Sequence, residues 1–276
     1  MNRVMQLTEF AVLILVASFL YGQQTVPVPT SNVAPGAQAP ACDHLFTANS
    51  TSNAFIRYCV SDRGTITSIE TPAGHFHIGA QGEGYGFCQQ DPVPGTAYYD
   101  FLNINSGNLN PPTILNVNDS SIKISRSTSD GNWTLVQTIT KDATTGSAKI
   151  EMALSNHQAV DKVAYLMRFV DADPDSVRIF GAAAGASLQS AFAWNFAVGS
   201  DGSLNAGLEL ENAGAWTQFQ HGYVRLGPDP PNPCDFANQA DGFGFNRNTD
   251  TSLVYAYVGT VKAHKTTTVN LRYRAR

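Results

Sequence analysis

Apolar residues in this sequence recur at every second position and almost nowhere at every third or fourth. At 121–126, Ile122 and Ile124 alternate with Lys123 and Ser125. At 148–154, Ile150, Met152 and Leu154 face one way, with Lys149 and Glu151 opposite. That period belongs to a strand with one buried face, because a helix needs a spacing near 3.6. Turn residues bound the runs: Asp130-Gly131 leads into 133–140 and Thr145-Gly146 into 148–154, both hairpin signals. The more continuously apolar run 163–170 is expected at the centre of a sheet. Residues 207–211 alternate again, and 252–258 with 266–274 predict a closing hairpin. Only the Ala-rich stretch 181–190 offers a short helix, and two glycines lower its propensity. Short strands between turn signals predict an all-β fold, an antiparallel β-sandwich, with a jelly-roll barrel of the cupin type as the alternative. The absence of a repeat of fixed period excludes a propeller or solenoid.

Only 14% of the 276 residues are charged while 43% are hydrophobic, so Ser, Thr, Asn, Gln and Gly must cover the surface. The net charge of −5 comes without a basic run, which excludes a nucleic-acid partner. Arg3, an apolar run at 10–20 and Gly22 read as a signal peptide, residues 1–22, too short for a comfortable membrane span. Residues 23–41, with Pro27, Pro29, Pro35 and Pro40, cannot bury a core and are expected to form a disordered Pro-rich linker. Residues 42–276 are expected to form a single sandwich domain, secreted or periplasmic/extracellular, with no transmembrane segment in the mature chain. Four cysteines in an oxidising compartment imply two disulfides with three possible pairings. The expected pairs are Cys59–Cys88, closing a local unit, and Cys42–Cys234, tying its start to a late Pro-rich loop.

The densest chemistry lies inside that unit, at 75–87. His75 and His77 would share a strand face, and pairing with the Gly-rich segment would bring Glu83 and Tyr85 to the same face. Two imidazoles and a carboxylate can hold a first-row metal. The spacing departs from the cupin motif, with five residues between His77 and Glu83 and no later histidine partner. A polar, hydrogen-bonded strand face is the plainer reading. Catalytic candidates are His75, His77, Glu83 and His221. Gly82, Gly84 and Gly86 leave one strand face without side chains, suited to close approach by a neighbouring layer. Asp171, Asp173 and Asp175 supply hard oxygens of the kind calcium takes, which makes calcium the cofactor candidate. Glu209 and Glu211 share a face, but Leu208 and Leu210 opposite them favour an ordinary half-buried strand. Tyr85, Tyr98, Tyr99, Trp216 and Tyr223 are the aromatic candidates for stacking on sugar rings. No G-x-S-x-G elbow is present.

The segments 58–61, 72–78, 82–85, 190–194 (Ser-Ala-Phe-Ala-Trp) and 260–274 resemble those of a group of uncharacterised secreted bacterial β-sandwich proteins. The closing segment is also similar to the end of sugar-handling sandwiches of the galactose-mutarotase type. These resemblances imply a fold and assign no activity. The expected function is a secreted, non-catalytic binding module for an extracellular glycan. The alternatives are a sugar-active enzyme of the mutarotase or polysaccharide-lyase type, or an extracellular structural protein.

Overall fold

A computed structural model describes residues 42–49, 55–91, 94–101, 105–176, 182–195, 206–215, 219–227, 229–238, 245–248 and 250–276. The expected signal peptide and linker lie outside them. In chain order the strands begin with β1 (His44–Asn49), β2 (Phe55–Val60), β3 (Ile66–Glu70), β4 (Ile78–Gln89), β5 (Thr96–Phe101) and β6 (Asn105–Gly107). They continue with β7 (Thr113–Asn118), β8 (Ser121–Ser127), β9 (Trp133–Asp142), β10 (Ser147–Asn156), β11 (Lys162–Ala172) and β12 (Ala182–Ala186). The last six are β13 (Ser190–Asn195), β14 (Gly207–Asn212), β15 (Phe219–Leu226), β16 (Phe245–Arg247), β17 (Thr251–Val261) and β18 (Thr266–Ala275). Two 3-10 turns, Pro174–Ser176 and Pro233–Asn238, are the only helical elements among the described residues.

The strands form a nine-stranded sheet in the order β16-β12-β13-β14-β18-β10-β9-β8-β7 and a six-stranded sheet in the order β15-β17-β11-β4-β5-β6. A third sheet, β1-β2-β3, has three strands. The large sheets are antiparallel throughout and open at both edges, so this is a sandwich and not a barrel. The alternation in the sequence supplies the core. Ile150 lies opposite Ile139 on one side and Leu271 on the other. Their inward faces meet Tyr85, Phe87, Leu166, Leu253 and Tyr255 of the six-stranded sheet, and Ile56, Tyr58 and Ile66 of the small sheet.

The six-stranded sheet also buries its outer face. Phe101, Met167, Phe169, Tyr223, Val254 and Ala256 make a second apolar cluster there, and the turn Pro233–Asn238 packs against β4, β5 and β11. The Gly-rich strand allows this approach: a Cβ on Gly86 would stand 2.7 Å from the Pro233 ring. The expected side-chain-free face holds at Gly84 and Gly86, whereas Gly82, with φ of 67°, lies in the irregular stretch before them.

The structure corrects three expectations. The disulfides are Cys42–Cys59 and Cys88–Cys234, not Cys59–Cys88 and Cys42–Cys234. His44 pairs with Val60 in the β1–β2 hairpin, which carries Cys42 to the end of β2; Cys88 faces outward onto the turn that holds Cys234. Residues 182–186 form strand β12 rather than a helix, because pairing with β13 and β16 satisfies both its edges. The last two strands make no hairpin: β17 joins the six-stranded sheet and β18 the nine-stranded one.

Candidate functional site

Glu83 and Arg168 set the character of the interior. Glu83 on β4 and Arg168 on β11 both point between the sheets and are fully buried. Arg168 donates from Nε and Nη2 to the two Glu83 oxygens, from Nη1 to Gln137 at 2.8 Å, and to the Gly64 carbonyl at 3.1 Å. The Ile66 N–H at 2.7 Å and the Tyr273 hydroxyl at 3.1 Å also donate to Glu83. Gly64 has φ of 87°, a left-handed conformation suited to glycine, and this turn aims its carbonyl at Arg168. Burial pushes the Glu83 carboxyl up, while Arg168 and the other donors pull it back. A second buried pair joins Asp100 to Arg126, with Arg63 donating to the same carboxylate at 2.9 Å. These groups bind the sheets to one another and leave no atom of Glu83 for a substrate.

The two histidines do not join Glu83. Residues 79–82 bulge where β4 meets β11 around Asp171, so the segment carrying them is not paired with the Gly-rich one as expected. His77 is buried and donates from Nε2 to the Thr71 carbonyl. Burial lowers its pKa, so the ring is held neutral. His75 instead meets Asp175, with Nδ1 3.0 Å from Oδ2 and both side chains about a quarter exposed. Asp175 also accepts from Asn195 at 3.4 Å.

That pairing takes Asp175 out of the expected calcium trio. Asp171 and Asp173 converge with Asp250, their ligand atoms all within 4.8 Å of one another. The bulge wraps this group: Gln81 N–H donates to Asp171 at 2.8 Å, and a Cβ on Gly79 would strike both Asp171 and Asp173. Three hard oxygens suit calcium, but carboxylates alone do not make a site.

Of the aromatic candidates, Tyr85, Tyr98 and Tyr223 are core residues, and Tyr99 is half-buried against Phe101. Trp216 lies outside the described residues. His221 falls on β15, but its side chain lies outside the description. A different aromatic pair faces outward. On β13, Ala191 and Ala193 point into the core while Phe192 and Trp194 stack on the outer face, centroids 5.3 Å apart and planes 22° from parallel. The Arg276 guanidinium lies 3.3 Å from the Phe192 centroid. Beside them Glu209 and Glu211 of β14 meet Arg272, Arg274 and Arg276. The sequence signal was there in Phe-Ala-Trp, aromatics two apart between small residues.

No protein-family model matches the chain, and no curated protein matches it. Solved structures do. A bacterial glucoamylase complexed with acarbose superposes with a TM-score of 0.56 at 8% identity, over 86% of this chain and 32% of the other. A polysaccharide lyase gives 0.50 at 9% identity, over 80% and 32%. The chain thus spans about a third of the length of either enzyme. A galactose mutarotase-like protein from Lactobacillus casei gives 0.44 at 7% identity, over 84% and 100%, too low to carry an argument. What the first two share with this chain is the fold. Among the described residues no helix is long and apolar enough to cross a membrane.

Proposed function

We propose that the protein is an exported, non-catalytic sandwich domain that binds an extracellular glycan on the outer face of its nine-stranded sheet. The observation that carries this is the near-parallel Phe192–Trp194 pair, half-buried on a strand whose other face is core. Aromatic rings stack on the apolar faces of sugars. The Glu209, Glu211 and arginine side chains alongside offer oriented acceptors and donors for sugar hydroxyls. Export is supported by the pairing of all four cysteines in disulfides. The test is a glycan array with the mature protein and with Trp194→Ala. Binding by the wild type, reduced at least tenfold by the substitution at an unchanged melting temperature, is expected. Binding that survives Trp194→Ala rejects this face, and no binding to any glycan favours a structural role.

A second reading is favoured by the His75–Asp175 pair, a histidine–carboxylate contact open to solvent beside the bulge. There the protein would be a sugar-active enzyme with His75 exchanging protons and Asp175 orienting the ring. Aldose mutarotation followed by polarimetry, and polysaccharide cleavage followed by new unsaturated ends, separate the readings. Activity lost in His75→Ala would displace the binding proposal.

A further inference from the structure

Where the sheets part at one end, a cavity of about 190 Å³ lies between them, away from the outer face that carries Phe192 and Trp194. Leu154, Leu166, Val261 and Val269 are among its apolar walls, and Asn212, Gln220, Tyr257 and Thr267 are among its polar lining. Gln220 is the unusual member. It sits on β15 opposite Tyr257, on the inward face that Val224 shares, and is 1% exposed. Its Nε2 has no hydrogen-bond partner among the described residues. A carboxamide nitrogen carries two donors, and leaving them unmet inside a protein is costly. Two polar neighbours are served: the Tyr257 hydroxyl donates to the Asn270 carbonyl at 2.8 Å, and Asn212 Nδ2 donates to the Gly214 carbonyl at 3.0 Å.

We infer that this cavity binds a compact, mainly apolar molecule the size of a substituted six-membered ring, with one hydrogen-bond acceptor directed at Gln220. The size follows from comparison with a dry apolar cavity of about 150 Å³, which takes benzene. The acceptor follows from the amide. Ordered water is the competing occupant, since Asn212, Thr267 and Asn270 also line the cavity. The site is distinct from the glycan face, so either proposal can fail without the other.

Acetophenone and isopropylbenzene test this. They match in shape, and only the ketone carries an acceptor. Methyl resonances of Leu154, Leu166 and Val261, followed by NMR on the whole mature protein, report occupancy. Acetophenone is expected to shift them and to bind at least tenfold more tightly than isopropylbenzene. Gln220→Leu, or Gln220→Met should the first not fold, is expected to reverse that preference. Thr267→Trp, placed in the lining, is expected to abolish both shifts. No shift with either compound overturns the inference and leaves the cavity to water. Equal binding of both to the wild type overturns it as well, because the amide would then play no part.

Discussion

Two of the molecule's Glu–Arg groupings lie in opposite settings, and the contrast separates scaffold from candidate surface. Between the sheets, Glu83 has one cationic partner, Arg168, and both side chains are 0% exposed. On the outer face, Glu211 meets Arg272 and Arg274, and Glu209 meets Arg274 and Arg276, with the Arg274 side chain 42% exposed. The interior pair is dry, single and surrounded by further donors. The outer ladder is redundant, with partly exposed arginines laid over carboxylates whose side chains are only 8–11% exposed. Removing a partner inside must strand a buried charge, whereas removing one outside leaves every carboxylate a remaining arginine. The same two residue types thus serve fold specificity in one place and, on the proposal above, ligand recognition in the other.

The largest effect is therefore expected inside. Arg168→Met should cost about 3–5 kcal/mol of unfolding free energy, the range for breaking a buried ion pair by removing one partner. Replacing both, Arg168→Met with Glu83→Leu, should recover much of that loss, because no charge is then left unpaired. Chemical denaturation of both variants measures it. A double variant no more stable than Arg168→Met would mean the pair itself, and not the orphaned charge, carries the stability.

A pH scan extends the comparison to a buried histidine whose bonding partner is a backbone carbonyl. His77 is held neutral by burial, below its ordinary value of 6.5. Below pH 6.5 the unfolded chain binds a proton that the folded chain does not, so stability is full above 6.5 and falls as pH drops through the window beneath it. The slope should reach at most about 1.4 kcal/mol per pH unit. His77→Asn should flatten the curve below pH 6.5. An unchanged slope in that variant would assign the acid sensitivity to other groups.

Much of the scaffold was legible in the sequence because strand alternation is local. Ile150, Met152 and Leu154 show their buried face within seven residues, and Asp130-Gly131 marks its own turn. What failed was long-range. Cys42 reaches Cys59 only because β1 pairs with β2, and nothing in 44–49 alternates strongly enough to announce that hairpin. Asp250 joins Asp171 and Asp173 from far along the chain, a neighbour that spacing arithmetic cannot supply. The His75, His77 and Glu83 grouping failed for a third reason. Reading faces by parity assumes a regular strand, and the bulge at 79–82 breaks that parity between the histidines and the glutamate. Arg168, one cation in an otherwise apolar run, was the visible mark of the interior pair.

The smallest effect is expected on the outer face, where the contrast can be broken most cheaply. Arg274→Met leaves Glu211 with Arg272 and Glu209 with Arg276. Because each carboxylate keeps an arginine and Arg274 itself is 42% exposed, the loss should stay under about 1 kcal/mol. It should shrink further as salt rises from roughly 0.05 to 0.5 M, because screening already weakens the wild-type contact. Arg168→Met, by contrast, should be nearly indifferent to salt, since ions cannot enter the dry interior. If Arg274→Met cost about 3 kcal/mol or more at any salt, the ladder would belong with the interior pair as a structural element. The outer face would then have little freedom left to rearrange around a ligand, and the glycan proposal would lose its surface.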